Sequence, residues 1–349
     1  MTIRALCRTG AALTLVIWVG AGLAAEATGH FRVLNRYAIG GQDTSYDYLR
    51  LDRDAKRLYV AHGSRVEVLS TDTGQVVGQI TGTAGVHGVA LARPFHHGFT
   101  SNGTERSVSM FDLQTLKSLM VIKYAGVKPD AIEYDPQTQR VFVVNGGSTG
   151  DVTVIAPDSG AIVGTVILNG GKLEQLVFDG HGRGFVNDEQ QNVVHVFDTH
   201  SLKPLTTWSL APGDAPTGLA LDAVHHRLFS ACGNRQLVVL NSDTGAVVAT
   251  APIGSDPDGA AFDDARRLIF TSNRDGTLTV LHQDGPDRYR VLQTVATESG
   301  ARTLALDSTS GRVYLPAAKF GPPPASSKSE PEPRAPMVAE SFAILVVGE

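Results

Sequence analysis

The sequence predicts an all-β fold, a seven-bladed β-propeller whose last blade is closed by the N-terminal strand. Three observations predict it: a repeat of nearly constant length, an aromatic residue at a fixed place in that repeat, and turn residues that divide each repeat into short strands. Four strands in ~40 residues, repeated around a ring, are typical of propellers. Helical solenoids are excluded because no segment keeps a 3.6-residue apolar pattern for three turns.

The repeat is defined by seven short apolar stretches. Their last residues, the anchor residues, are 40 to 44 positions apart and are Asp52, Ala92, Asp135, Asp179, Asp222, Asp263 and Asp307. An aromatic follows each anchor by seven residues, or by six in the fourth repeat, at Tyr59, Phe99, Phe142, Phe185, Phe229, Phe270 and Tyr314. Agreement in register over seven segments indicates one supersecondary unit used seven times.

Turn chemistry divides each unit into four strands. In the third repeat the strands are predicted at 130–134, 141–145, 152–156 and 162–168. Asp135 and Pro136 begin the first turn, and Asp158-Ser159-Gly160 forms the third, all with residues that favour turns. The apolar first strands are expected to line the crowded centre of the ring.

The two chain ends are predicted to share the last blade. Its strands are expected near 302–306, 312–316 and 342–347, and residues 31–39 upstream of the first repeat supply the missing outer strand. Pairing the termini closes the ring and protects sheet edges. A Pro-rich insertion at 321–337 interrupts this blade; its composition predicts an extended loop, either a tolerated surface insertion or a partner-docking loop or flap.

The N-terminal residues 1–25 have the three parts of a cleaved secretory signal peptide. Arg4 and Arg8 form a charged start, Ala11 to Val19 is an apolar run, and small residues follow. The run is shorter than the ~20 apolar residues of a spanning helix, so we expect a periplasmic mature protein without a membrane span, over about 30–349. Cleavage would leave Cys232 as the single cysteine, so no internal disulfide is expected.

Composition restricts the partners. The formal charge of −5 becomes −7 after cleavage, with 28 basic residues (30 − 2) against 35 acidic ones. An acidic chain without long Lys/Arg runs does not favour nucleic acid as a ligand. We expect a monomer whose partner is a periplasmic protein, peptide or small molecule.

The residues around the repeated aromatics resemble a known family. Tyr59-Val-Ala-His62, Phe99-Thr-Ser-Asn102, Phe142-Val-Val-Asn145 and Phe270-Thr-Ser-Asn273 are similar to the Tyr-Val-Thr-Asn motif of the YVTN-repeat, or YncE-like, seven-bladed propellers. The resemblance covers the chain from about 30 to 349. It implies the propeller fold but little about function, because members differ widely. Some relatives bind single-stranded DNA, an activity that the acidity of this chain argues against.

Propeller geometry predicts the place of a binding site at the mouth of the central channel. The position five residues before each anchor is expected there and holds Asp47, His87, Asp130, Glu174, Thr217, Asp258 and Arg302. A neighbouring ring of loop residues comprises His62, Asn102, Asn145, Asn187 or Asp188, Cys232 and Asn273. We expect the first set, with His62, Asn102, Asn145 and Asn273, to form the ligand-binding surface.

Three interpretations of this surface stay open. The polar groups could simply hydrate the channel and cap backbone amides. They could bind a small ligand or a divalent cation, with Asp130, Glu174 and Asp258 as candidate metal ligands, although no cofactor is certain. They could also catalyse a reaction, since propeller lactonases and an antibiotic lyase look similar in placing acids, Asn and His around a divalent ion at this mouth. His87 or Glu174 would then be the base.

The leading function is therefore an exported binding or scaffold propeller, and the alternative is a metal-dependent lactone hydrolase or lyase. Nucleophile elbows, phosphate-binding loops, paired CxxC motifs, haem attachment and HExxH motifs are absent from the sequence. The adjacent pairs His96-His97 and His225-His226 are expected as solvated turn residues, because neighbouring side chains diverge. Cys232 is expected to be a buried small hydrophobe.

Overall fold

The structure, a computed structural model, describes residues 30–43, 45–123, 128–146, 150–324 and 335–349. The predicted signal peptide and the middle of the Pro-rich insertion lie outside the described residues. The described chain forms 28 strands in seven four-stranded antiparallel sheets. The fold is thus the all-β, seven-bladed propeller that the repeat predicts.

Each of the first six blades is made of four consecutive strands, numbered along the chain and ordered from the axis outward. Blade 1 has β2 (Tyr46–Asp52), β3 (Arg57–His62), β4 (Arg65–Ser70) and β5 (Val76–Thr81); blade 2 has β6 (Val86–Ala92), β7 (His97–Asn102), β8 (Ser107–Asp112) and β9 (Ser118–Lys123). Blade 3 has β10 (Pro129–Asp135), β11 (Arg140–Asn145), β12 (Asp151–Ile155) and β13 (Ile162–Ile167); blade 4 has β14 (Leu173–Phe178), β15 (Arg183–Asp188), β16 (Val193–Asp198) and β17 (Lys203–Ser209). Blade 5 has β18 (Pro216–Asp222), β19 (Arg227–Cys232), β20 (Gln236–Asn241) and β21 (Val247–Pro252); blade 6 has β22 (Pro257–Asp263), β23 (Leu268–Asn273), β24 (Thr277–Gly285) and β25 (Arg288–Ala296).

Blade 7 joins the two ends of the described chain. It consists of β26 (Ala305–Asp307), β27 (Arg312–Ala317), β28 (Ala343–Gly348) and the outer strand β1 (Arg32–Ala38). β1 is antiparallel to β28, from Arg32 opposite Gly348 to Ala38 opposite Ala343. Closure of the last blade by the N-terminal strand is therefore confirmed.

The repeated aromatics form the core between blades. All seven are at most 2% exposed. Tyr59 of blade 1, for example, packs against Val86, Val89 and Phe111 of blade 2, with 6.0 Å between the Tyr59 and Phe111 ring centroids. Burying one such side chain contributes roughly 1.5–3 kcal/mol. The fixed offset of the aromatic therefore reflects its repeated place at the contact between neighbouring sheets.

The connections follow the predicted turn chemistry. The third turns of blades 1, 3 and 5 place Gly74, Gly160 and Gly245 at φ of 73°, 72° and 73°, a left-handed conformation that favours glycine. A 3₁₀ turn, Arg93–Phe95, joins the first two strands of blade 2. A bridge between Phe320 and Met337 brackets the Pro-rich insertion. In the described ranges, no helix has the length and apolar character needed to cross a membrane.

Candidate binding site at the channel mouth

The inner strands bring the predicted mouth residues to one end of the channel. In blades 1 to 6 the mouth residue is the second residue of its inner strand, and in blade 7 it precedes β26. We call the set the mouth ring: Asp47, His87, Asp130, Glu174, Thr217, Asp258 and Arg302. A register shift lies directly after the first residue of each of these six strands. Such bulges re-aim side chains, so the mouth residues are released from regular strand alternation.

Three members of the mouth ring form one cluster. The His87 Nδ1 atom is 2.6 Å from Asp47 Oδ2 and 3.9 Å from Asp130 Oδ1. Burial opposes protonation of the imidazole, but the two carboxylates outweigh it and raise the pKa of His87 to about 9. His87 is therefore a cation at neutral pH, held between blades 1 and 3.

Asp130, the third member of the cluster, is buried without full compensation of its charge. Burial raises the pKa of Asp130 to about 6, with His87 acting against this rise and the Asp47 and Asp258 carboxylates adding to it. A carboxyl that loses its proton this late is poorly compensated by its surroundings. The cluster thus combines a satisfied cation with an under-compensated acid.

Arg302 organises the other side of the mouth. Its Nε donates to Asp258 Oδ2 at 2.5 Å, and its Nη2 lies 3.8 Å from Asp47 Oδ1. Burial raises the pKa of Asp258, because the neighbouring Arg302 compensates the desolvation only in part. Asp47 consequently lies between the two cations of the ring, His87 and Arg302.

Glu174 is the most buried acid of the mouth ring. Its side chain is 6% exposed and lies 3.0 Å from the Lys172 ammonium, which also contacts Glu189. Burial raises the pKa of Glu174 well above its ordinary range, and the carboxylates of Asp130 and Asp258 add to the shift. One lysine shared with Glu189 does not offset this desolvation.

Tyr48 connects these groups across the channel. It belongs to the inner strand of blade 1, yet its ring packs against the core that blades 3 and 4 share. Burial raises the pKa of its phenol well above its ordinary value, and the four carboxylates of the mouth ring add to this shift. Those four acids therefore face one shared space. Thr217 differs from these acids, because it is uncharged and its hydroxyl donates to the Pro257 carbonyl.

The neighbouring loop residues do not reach this space. We call them the second ring: His62, Asn102, Asn145, Asp188, Cys232 and Asn273, the last residues of the second strands in blades 1 to 6. All are buried, at 2% exposure or less. Four of them, His62, Asn102, Asn145 and Asn273, were predicted to share the ligand-binding surface, and in the structure these side chains are buried within the blades. Asn187, the alternative in blade 4, is equally buried and donates to the Thr217 and Gly218 carbonyls.

The asparagines of the second ring tie strands together. Asn102 donates to Ser107 and Ser109 and accepts from Thr100. Asn145 donates to Asp151 and Thr153 in blade 3. These bonds cross from the second strand to the third, which explains why the motif ends in asparagine.

Asn273 repeats this pattern in blade 6, whereas Asp188 of blade 4 accepts hydrogen bonds from neighbouring loops. Asn273 donates to Thr277 and Thr279 across the same strand pair of blade 6. Asp188 accepts backbone N–H bonds from Gly171 and Gln191. The polar members of these blades are therefore satisfied by their own surroundings.

His62 and Cys232 complete the second ring. His62 stacks on Phe342 with 4.0 Å between ring centroids, and its Nδ1 is 3.6 Å from Glu67 Oε1, too far for a hydrogen bond. Cys232 is fully buried, which confirms the expected small hydrophobe, and burial raises the pKa of its thiol to about 12.

The two members of the His225-His226 pair contact different partners, as expected from diverging side chains. His225 Nδ1 is 2.7 Å from Asp222 Oδ2, whereas His226 Nδ1 is 3.2 Å from Asp243 Oδ2. His97 Nδ1 lies 2.7 Å from the Pro157 carbonyl oxygen. These turn residues stabilise the face opposite the mouth.

Within the described part of the chain, one set of side chains brings metal-ligating atoms close together, and it lies at the mouth. Single ligand atoms of Asp47, His87 and Asp130 lie within 4.8 Å of one another. This differs from the predicted set of Asp130, Glu174 and Asp258, of which Asp130 alone belongs to the cluster. A cation here would have to displace the proton that His87 holds against Asp47, because a metal ligand is a neutral imidazole.

Sequence reasoning missed Tyr48, Lys172, Arg50 and Glu133. Tyr48 stands one residue after a mouth position, where the other inner strands have mainly small residues. Arg50 and Glu133 occupy the position two before the anchor, which holds Ala or Val in the other five repeats. These departures from the repeat were the available signal.

Fold and site together define a seven-bladed β-propeller with a charged channel mouth. No protein-family model matches the chain, and no curated protein matches it. The chain is similar in structure to one titled "Crystal Structure of Mitotic Checkpoint Complex", with a TM-score of 0.70, 15% identity and coverage of 98% of this chain and 99% of that one. It is also similar to "Crystal structure of RRP9 WD40 repeats" (TM-score 0.73, 11% identity, coverage 91% and 97%) and "Structure of U3-55K" (0.72, 12%, 92% and 99%). At such identities the similarity shows the fold alone.

Proposed function

We propose that this chain is an exported propeller of the YVTN-repeat kind that binds a periplasmic protein or peptide, with a basic side chain of the partner entering the channel mouth. The signal-peptide pattern and the Tyr-Val-Thr-Asn-like motifs support export and family. The mouth ring supports the chemistry of the ligand.

The observation that carries the proposal is the group of under-compensated acids around one opening. Asp130, Glu174 and Asp258 all have pKa values raised by burial, and each also feels a neighbouring carboxylate of the ring. An ammonium or guanidinium placed among them would favour their ionised forms. The ring has Arg302 and His87 as its own cations, but both already contact Asp47. A further cation is therefore the complementary ligand.

A protein or peptide partner fits the architecture better than a free amine. The mouth opens on the face formed by the loops of seven blades, which surrounds the acids with a wide contact surface. Two similar structures are those of a mitotic checkpoint complex and of the RRP9 WD40 repeats. The first of these is a complex, which supports a protein partner for a chain of this fold. In a docked basic side chain, the desolvation cost would be offset by contacts of the flanking backbone with the loops.

Binding of lysine peptides tests this proposal. We expect the purified chain to retain peptides with a central lysine and to lose those in which norleucine replaces the lysine. Glu174→Gln and Asp258→Asn should each weaken binding about tenfold, the effect of ~1.4 kcal/mol, and added salt should weaken it further. Asp72→Asn, an exposed acid on the outside of blade 1, is the matched control and should change nothing.

Equal binding of lysine and norleucine peptides would refute a cation-selective mouth. If lysine peptides are preferred instead, capture of periplasmic proteins by the wild type but not by the Glu174→Gln/Asp258→Asn double variant would identify the partner. The localisation is tested independently, by the size and compartment of the expressed chain.

A metal-dependent lactone hydrolase or lyase is the second candidate, favoured by the Asp47–His87–Asp130 cluster. In that case Glu174 is the better base, because burial raises the pKa of its carboxyl and so makes it more basic, whereas the neighbouring carboxylates raise the pKa of His87 to about 9 and keep the imidazole protonated. Elemental analysis of the purified protein and lactone assays with and without chelator test this candidate. Absence of bound metal together with absence of turnover would exclude it.

A further inference from the structure

A cavity lies on the axis below the mouth. Its volume is about 460 Å³, and its walls come from the inner strands of blades 1, 2, 3, 4, 6 and 7. Tyr48 is part of its wall, whereas no mouth-ring residue is. The rim includes Arg53, Asp54 and Arg93, which lie in the turns of the face opposite the mouth. Tyr48 thus separates an acidic mouth from a cavity that opens at the other end.

The cavity exists because several of the side chains that line it are small. Gly88, Ala131, Ala260, Ala261 and Ala305 line it, where larger side chains would fill the axis. Volumes of roughly 300–1,000 Å³ are typical of small-molecule sites. The space is therefore of the right size for a ligand of a few to a dozen non-hydrogen atoms.

A fixed pair of opposite charges projects into this space. Arg50 donates through Nε to the Val89 carbonyl at 3.0 Å, and its Nη2 donates to Glu133 Oε1. Arg50 therefore crosses the inner strand of blade 2 to reach blade 3. Among the described residues, Arg50 Nη1 and Glu133 Oε2 have no hydrogen-bond partner, so each charge keeps one atom free for a ligand.

Gln175 adds a neutral donor beside this pair. Its Oε1 accepts from the Leu219 backbone N–H at 3.0 Å, which fixes the amide and leaves Nε2 without a partner in the described part of the chain. The cavity wall consequently offers a guanidinium and an amide as donors and one carboxylate as acceptor. Most of the other side chains that line the cavity are apolar, but polar atoms make up the larger part of its wall surface.

We propose that this cavity is a second binding site, for a small zwitterion of amino-acid or dipeptide size. A carboxylate of the ligand pairs with Arg50 and Gln175, and its ammonium pairs with Glu133. A simple anion would be repelled by Glu133, and a simple cation by Arg50. An uncharged apolar ligand would bury the free atoms of both without partners, which is unfavourable.

Calorimetric titration of the full chain with L-leucine and L-alanyl-L-leucine tests the site. Saturable binding of at least one of them is expected. N-acetyl-L-leucine, which lacks the ammonium, and L-leucine amide, which lacks the carboxylate, should bind at least tenfold more weakly. Equal binding of the blocked forms, or no binding of either zwitterion at millimolar concentration, would overturn the proposal.

Variants then locate the binding. Arg50→Gln and Glu133→Gln should each reduce affinity about tenfold or more. Ala261→Leu should abolish binding by filling the cavity while leaving the charged pair in place, and thermal unfolding verifies that each variant is folded. Asp258→Asn, in the mouth ring, should leave zwitterion affinity unchanged. Affinity that survives Ala261→Leu but falls with Asp258→Asn would place the ligand at the mouth and refute a second site.

Discussion

The mouth ring and the second ring are neighbours in the structure but differ in burial, in electrostatic coupling and in their hydrogen-bond partners. In blades 1 to 6 the residue just before the mouth residue is paired with a member of the second ring, as Pro129 is with Asn145 and Val86 with Asn102. Side chains in the mouth ring keep some exposure and perturb one another's pKa values. Those in the second ring are buried, and its asparagines are hydrogen-bonded within their own blades.

The difference teaches how to interpret polar positions in a repeat protein. Half of the second ring is asparagine, because blades 2, 3 and 6 use the same bonds between their second and third strands. The mouth ring changes from blade to blade, from acid to histidine to arginine, because its members face each other and not their own blade. A repeated asparagine that bonds within its own blade indicates a structural role, whereas charged groups of different blades that face one opening indicate a site.

Asn102→Ala is expected to give the largest effect. It removes two donated bonds and leaves Ser107, Ser109 and Thr100 buried without their partner, so we expect a loss of about 2–3 kcal/mol in the free energy of unfolding. Denaturant titration followed by tryptophan fluorescence or circular dichroism measures it. Asp130→Asn is the matched change in the mouth ring and should be neutral or stabilising. A reversed order of the two variants would contradict the division into structural and site residues.

The pH dependence of stability sharpens the comparison. The pKa of Asp130 is raised from 3.8 to about 6, so the folded protein holds this proton more tightly than the unfolded chain. The resulting stabilisation is complete below pH 3.8 and is lost as the pH rises through about 6. His87, raised from 6.5 to about 9, contributes stability below pH 6.5 that is lost as the pH rises through about 9.

Variants should flatten these two windows separately. Asp130→Asn is expected to reduce the fall in unfolding free energy between pH 4 and 6, and His87→Gln the fall between pH 6.5 and 9. Asn102→Ser, which has no titrating group, should lower stability by a similar amount at every pH. Parallel curves for the wild type and both mouth variants would show that the ring does not couple protons to folding.

Cys232 gives the smallest expected effect. Its burial and its pKa of about 12 predict that a thiol reagent labels it far more slowly in the native protein than in denaturant. A Cys232→Ser/Ser201→Cys variant, with the thiol moved to an exposed turn, should be labelled rapidly. Rapid labelling of native wild type would place this member of the second ring at the surface and weaken the comparison.

Much of the fold followed from the sequence. The strands predicted in the third repeat at 130–134 and 141–145 are observed as Pro129–Asp135 and Arg140–Asn145, because turn residues mark their ends. Prediction was less complete in blade 7, where the inner strand expected near 302–306 is the short Ala305–Asp307. There Arg302 and Thr303 bond toward blades 6 and 1 instead, contacts that no local pattern encodes.

The candidate site was predicted in part. The anchor offset selected four acids, His87 and Arg302, and in the structure these side chains lie around one opening. It did not separate them from the second ring, because a one-residue register shift decides which side chain faces the axis, and such shifts leave no clear mark in the sequence. The Arg50–Glu133 pair was missed for a related reason, since the two residues belong to different blades and are 83 positions apart in the sequence.

The sequence by itself determined the number of blades, the buried aromatic of each blade and the pairing of the chain ends, because these depend on local period and turn chemistry. The tertiary structure alone decided which polar groups meet. His87 reaches Asp47 from a position 40 residues away, and Arg302 reaches the Tyr46 carbonyl from 256 residues away. Such contacts form only when the blades have packed together, since each depends on the relative placement of neighbouring sheets and not on the conformation of either segment.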